Sequence, residues 1–96
     1  MPRVSAKPLG YRSKADRLRL KRKLVDLLGG KCIDCGYSAH LAALDFDHVD
    51  PKTKTSNIGP LLGKQRDVSI IYNEARKCVV RCANCHRIKT WPNATD

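Results

Sequence analysis

The sequence predicts a small α+β domain, stapled by a four-cysteine zinc site and preceded by a basic N-terminal helix. Three observations carry that prediction. The chain has 96 residues, 42% hydrophobic and 29% charged, which is the size of one domain. Four of its five cysteines form two Cys-x-x-Cys pairs, Cys32/Cys35 and Cys82/Cys85. Its net charge of +10 is uneven: residues 1–31 carry ten Lys/Arg against Asp16 and Asp26, a net +8, whereas residues 32–96 carry nine against seven acids, a net +2. A chain this short buries only about 60–68% of its unfolded surface, so its core is marginal and a staple is expected.

The classes excluded are equally plain. The longest apolar run, Leu41 to Leu44, is four residues, too short for a transmembrane helix. Residues 1–11 contain no apolar stretch of the signal-peptide kind, so a cytoplasmic location is expected. The basic helix lacks the Trp/Phe-rich face of interfacial helices, so the expected partner is a polyanion rather than a membrane.

Residues 1–12, with two prolines, one glycine and three basic residues, are expected to form a flexible basic arm. A helix follows over 13–29. Ser13 is its N-cap, Leu20, Leu24, Leu27 and Leu28 with Val25 form its apolar stripe, and Gly29-Gly30 ends it. Arg17, Arg19, Lys21, Arg22 and Lys23 lie on its other faces and are candidate contacts to the polyanion. Residues 30–92 form the stapled domain. Lys31 to Tyr37 makes the first knuckle, and residues 44–50 alternate as a strand that Asp50-Pro51 stops. Residues 51–63 read as loop, 67–77 as a short helix carrying Val68, Ile71, Tyr72 and Ala75, and 78–81 as a second strand. Residues 83–90 read as a last helix, stopped at Trp91-Pro92, and 93–96 as a polar tail.

Two residues between thiols let a tight turn aim both at one ion, and two such knuckles complete a closed tetrahedral Zn2+ shell. Disulfides fit less well with an odd cysteine count and paired spacing. Cys78 is the fifth and reads as a small buried hydrophobe. The 46 residues from Gly36 to Arg81 exceed the gap of a simple zinc ribbon, so an insert holds further chemistry. The staple draws residue 35 to residue 82, and so Asp47-His48 towards His86. An aspartate and an imidazole can share an open divalent site for Mg2+ or Mn2+, and His48 beside it can act as general base. Asp45 and Asp50 compete with Asp47 as ligands, and His40 has no partner at a meaningful spacing. Because neighbouring strand residues face opposite ways, irregular backbone is expected between 47 and 51.

Cys32-x-x-Cys35, Leu44-Asp45-Phe46-Asp47-His48-x-Asp50-Pro51 and Cys82-Ala83-Asn84-Cys85-His86-Arg87-Ile88-Lys89-Thr90 together resemble the HNH nucleases of the ββα-metal (His-Me finger) fold, over roughly residues 30–91. Compact phage-encoded members are most similar in size and layout. The resemblance implies a DNA endonuclease. His48 would activate the attacking water, Asp47 and His86 would hold a catalytic divalent ion, and Arg87 and Lys89 would steady the phosphate charge. The four paired cysteines would be structural, the products would carry 5′-phosphate and 3′-hydroxyl ends, and a phage terminase is a partner by analogy. One position departs from the family pattern. Where its middle Asn normally braces the loop bearing the base, this chain has Arg76-Lys77-Cys78, with Asn73 out of register and Asn84 a weak substitute. The alternative function is a non-catalytic zinc-stapled module that binds nucleic acid through helix 13–28.

Overall fold

The computed structural model describes residues 11–93. Most of the arm expected over 1–12 and of the tail expected over 93–96 lies outside the described residues. The elements are α1 (Lys14–Leu27), β1 (Leu44–His48), α2 (Ile58–Lys64), α3 (Val68–Ala75), β2 (Cys78–Cys82) and α4 (Ala83–Thr90), with single 3-10 turns at Leu41–Ala43 and Pro51–Thr53. The fold is thus small α+β. β1 and β2 pair antiparallel with Leu44 opposite Cys82, Phe46 opposite Val80 and His48 opposite Cys78.

α1 starts where the Ser13 hydroxyl accepts the Asp16 N–H at 3.1 Å, satisfying one of the orphan donors of the first turn. It ends at Gly29 and Gly30, whose φ angles of 112° and 78° only glycine adopts without strain. Leu20, Leu24 and Val25 are buried as expected, but Leu27 is 55% exposed. The buried face centres between Leu24 and Leu28, and at 100° per residue Leu27 lies about a quarter-turn from it.

The loop expected over 51–63 is corrected by α2. Pro60 falls in its first turn, where a missing N–H breaks no helical bond, and Ile58 and Leu62 are buried beneath it. Tyr11 and Arg12 belong to the structured part rather than to an arm. The Arg12 N–H donates to the Gly63 carbonyl at 2.9 Å, and the Tyr11 ring lies so close to Gly63 that a Cβ there would meet it at 3.2 Å. α3 begins one residue later than expected, because Asp67 caps it by accepting the Ser69 N–H at 2.9 Å.

Two apolar clusters hold these elements. One joins Leu20 and Leu24 of α1 to Ile58, Leu62, Ile71, Ala75 and Cys78. The other joins Val25 to Cys32, Leu44, Val80 and Cys82. α1 therefore contributes to both and shares the core of residues 30–92 instead of standing apart as its own unit. No helix among the described residues is long and apolar enough to cross a membrane.

Candidate functional site

The first knuckle is closed by two backbone bonds, Cys32 N–H to the Tyr37 carbonyl and Gly36 N–H to the Cys32 carbonyl, both 2.9 Å, with Gly36 at φ 80°. It docks on β2 through the Ile33 N–H, which donates to the Val80 carbonyl at 2.8 Å. The second knuckle is the β2–α4 junction itself, where the Cys82 sulfur accepts the Cys85 N–H at 3.4 Å. The Sγ atoms of Cys32, Cys35, Cys82 and Cys85 consequently lie within 4.8 Å of one another. Metal–sulfur arms of about 2.3 Å at the tetrahedral angle put sulfurs about 3.8 Å apart. The 3.7 Å between Cys35 and Cys82 meets that requirement. The cluster can hold a structural metal ion such as zinc. Burial opposes charge on Cys32, but the N–H groups of Cys82, Cys35 and Asp34 outweigh it and bring its thiol down to about 6. The neighbouring thiols of Cys35 and Cys82 push Cys85 well above the usual thiol range. Among the fully described thiols Cys78 stands apart, buried, with burial first and then Glu74 raising its pKa to about 11.

A cleft of about 460 Å³ opens at the end of β1, and Asp45, Asp47, His48 and His86 all line it. β1 stays regular through His48, and the Val49 N–H still donates to the Lys77 carbonyl at 2.9 Å, so the irregular backbone expected from residue 47 begins only beyond that bond. Asp45 and Asp47 accordingly share one face of the strand and His48 takes the other. α4 covers the first face and brings His86 to it. His86 Nδ1 lies 3.0 Å from Asp45 Oδ2, and its Nε2 lies 3.8 Å from Asp47 Oδ1. The other Asp47 oxygen accepts from Arg81 at 2.6 Å and Lys89 at 2.7 Å. Burial would raise the Asp47 pKa, yet the bonds from Lys89 and Arg81 prevail and hold it below the usual carboxylate range. The 3.8 Å between Asp47 Oδ1 and His86 Nε2 falls between the about 3.0 Å of adjacent and the about 4.2 Å of opposite ligands of a Mg2+-sized ion.

On the other face His48 is nearly enclosed, its side chain 8% exposed, with Nε2 2.7 Å from Glu74 Oε2. Asp50 does not line the cleft, and its side chain accepts the Lys52 N–H at 2.9 Å as a cap of the 51–53 turn. Asn84, the weak substitute for the bracing asparagine, is exposed in the first turn of α4 and does not line the cleft. His40 is exposed.

The basic residues divide by their neighbours. Arg19 pairs with Asp16, and Arg22 lies 3.3 Å from Asp26. Arg17 stacks over the Tyr11 ring at 5.6 Å and, with Lys14, Lys21 and Gly59, lines a second groove of about 280 Å³. Gly59 also borders the main cleft. Lys23 is exposed, and Arg87 lines a hollow beside Asp45 and His86. Lys89 is exposed and donates to Asp47 from the rim of the cleft.

Sequence reasoning missed Glu74 and Arg81. A signal for Glu74 existed: it falls among Ile71 and Ala75 on the buried stripe of α3, where an acid needs a partner. Arg81 joins the first knuckle to the cleft, with Nε 2.7 Å from Asp34 and another guanidinium nitrogen on Asp47. No protein-family model, curated protein or solved structure matches the chain.

Proposed function

We propose that the protein is a metal-dependent DNA endonuclease of the HNH type. The observation that supports this best is the cleft, to which two imidazoles and two aspartates contribute, with Asp47 Oδ1 and His86 Nε2 only 3.8 Å apart. His48 is the general base that takes a proton from the attacking water. Asp47 and His86 hold Mg2+ or Mn2+, and Asp45, bonded to Nδ1 of His86, turns the Nε2 lone pair towards Asp47. When bound, the ion supplies Lewis-acid polarisation of the phosphate and stabilises the leaving 3′ oxygen. Arg87 and Lys89, on the same helix as His86, offset phosphate charge, and the groove lined by Lys14, Arg17 and Lys21 guides the backbone towards the cleft.

One observation favours the second reading, a zinc-stapled module that binds nucleic acid without cutting it. Asp47 is already neutralised by Arg81 and Lys89, as a purely structural carboxylate would be. Plasmid nicking separates the two. The zinc-loaded protein is expected to nick supercoiled DNA only with added Mg2+ or Mn2+, and His48→Ala to lose about 10²–10⁴ in rate. Equal nicking by both proteins, or none with any divalent ion, leaves the binding module.

A further inference from the structure

We infer that Glu74 is the positioning residue for His48: it holds the imidazole as the Nε2–H tautomer and in one pose, so that Nδ1 is the proton acceptor. The role in DNA cleavage rests on the proposed nuclease reading, whereas the tautomer does not. The geometry is specific. Glu74 Oε2 lies 2.7 Å from His48 Nε2 and accepts the N–H groups of Thr55 at 2.9 Å and Ser56 at 3.4 Å. Oε1 accepts from Lys77 Nζ at 2.9 Å. Both side chains of the His48–Glu74 pair are more than nine-tenths buried, at 8% and 5% exposure. An ionised carboxylate only accepts hydrogen bonds, so the ring nitrogen facing it must carry the hydrogen, and a neutral imidazole then keeps its lone pair on the other nitrogen. Burial alone would raise the Glu74 pKa, but the donors from Lys77, Thr55, His48 and Ser56 prevail and hold it at about 2, so the carboxylate is charged at any working pH.

The same carboxylate ties three segments together: the end of β1 through His48, the 55–56 loop, and the turn between α3 and β2 through Lys77. The Lys77 ammonium extends that tie to the Thr53 carbonyl at 2.8 Å and the Thr55 hydroxyl at 3.1 Å. Glu74 thereby braces the loop that follows the base, the task for which the sequence supplies no asparagine in register.

The test is an imidazole 1H–15N spectrum of the zinc-bound, 15N-histidine-labelled protein at a pH where His48 is neutral, beside plasmid nicking. Wild type is expected to show a His48 ring N–H on Nε2, slow to exchange with water. Glu74→Met, which keeps the length but has no oxygen to accept the bond, should lose that protection. It should also lower the nicking rate about ten- to a hundredfold at unchanged DNA affinity. Lys77→Met removes a different partner of the carboxylate and should keep the signal. A proton found on Nδ1 in wild type overturns the inference without any variant, so a poorly folding Glu74→Met does not shelter it. An unchanged signal, or an unchanged nicking rate, in folded Glu74→Met overturns it as well. If wild type shows the protected N–H, Glu74→Met loses it, and no plasmid is ever nicked, the nuclease reading falls while the Glu74–His48 assignment stands.

Discussion

Replacing Cys32 by Ser should cost this protein its fold. Cys32 is 1% exposed and sits in the same apolar cluster as Val25, Leu44, Val80 and Cys82, so a ligand and a core residue are removed together. A structural Zn2+ contributes about 10–16 kcal/mol of apparent binding free energy at neutral pH. A domain of 96 residues has a net stability of about 5–14 kcal/mol. The metal contribution is thus as large as the whole, and a site with three thiolates cannot retain most of it. Cys32→Ser is expected to bind well under one equivalent of zinc and to show no cooperative melt near that of wild type. Strong chelation of wild type should reproduce this, whereas Cys78→Ser, outside the sulfur cluster, should keep its zinc. Zinc content is read by elemental mass spectrometry and unfolding by circular dichroism. Full zinc occupancy in Cys32→Ser with an unshifted melting temperature refutes the staple.

Leu24→Ala, at a fully enclosed position of α1, should destabilise by about 2–5 kcal/mol in urea, and Leu27→Ala, on the exposed side, by less than about 0.5 kcal/mol; equal effects would mean that α1 packs by another face. Glu74 has a folded pKa of about 2 against an ordinary 4.5, so its contribution to stability is complete above pH 4.5 and lost as the pH falls towards 2. The stability gap between wild type and Glu74→Gln should therefore narrow over that window, and a constant gap contradicts the ionised buried carboxylate. Asp45→Asn should weaken Mn2+ binding about tenfold in calorimetry, the low end for an orienting partner, because the His86–Asp45 pair is more than a third exposed; unchanged affinity would remove Asp45 from the site. DNA affinity should fall with salt, and Lys21→Ala should reduce the salt slope by about 1 whereas Arg22→Ala, already paired with Asp26, should barely change it.

Much of this arrangement was legible in the sequence because it depends on short spacings. The Cys-x-x-Cys pairs, Asp47-His48 and the Cys85-His86 step are each fixed within a turn of backbone, and both strands and α4 follow from local alternation and from Pro51 and Pro92. What was hidden depends on register or on context. The α2 segment reads as loop because Gly59, Pro60 and Gly63 are poor helix interior residues. Burial of Ile58 and Leu62 against α1 and α3 overrides that propensity. Glu74 meets His48 only because His48 pairs with Cys78, which sets the last turn of α3 beside the end of β1. In the sequence Asp45 is equivalent to Asp47 as a ligand, and only the position of α4 sets it against Nδ1 of His86.

The pairing of Leu44 with Cys82 carries a consequence for the order in which the molecule is made. Synthesis delivers the strongly cationic residues 1–31 before β2, two of the four sulfurs and His86. Until residue 82 and those after it are available, the first knuckle has no counterpart and β1 no neighbour. A polypeptide halted before residue 82 thus already carries most of the positive charge, yet it lacks both its fastening and one wall of the cleft.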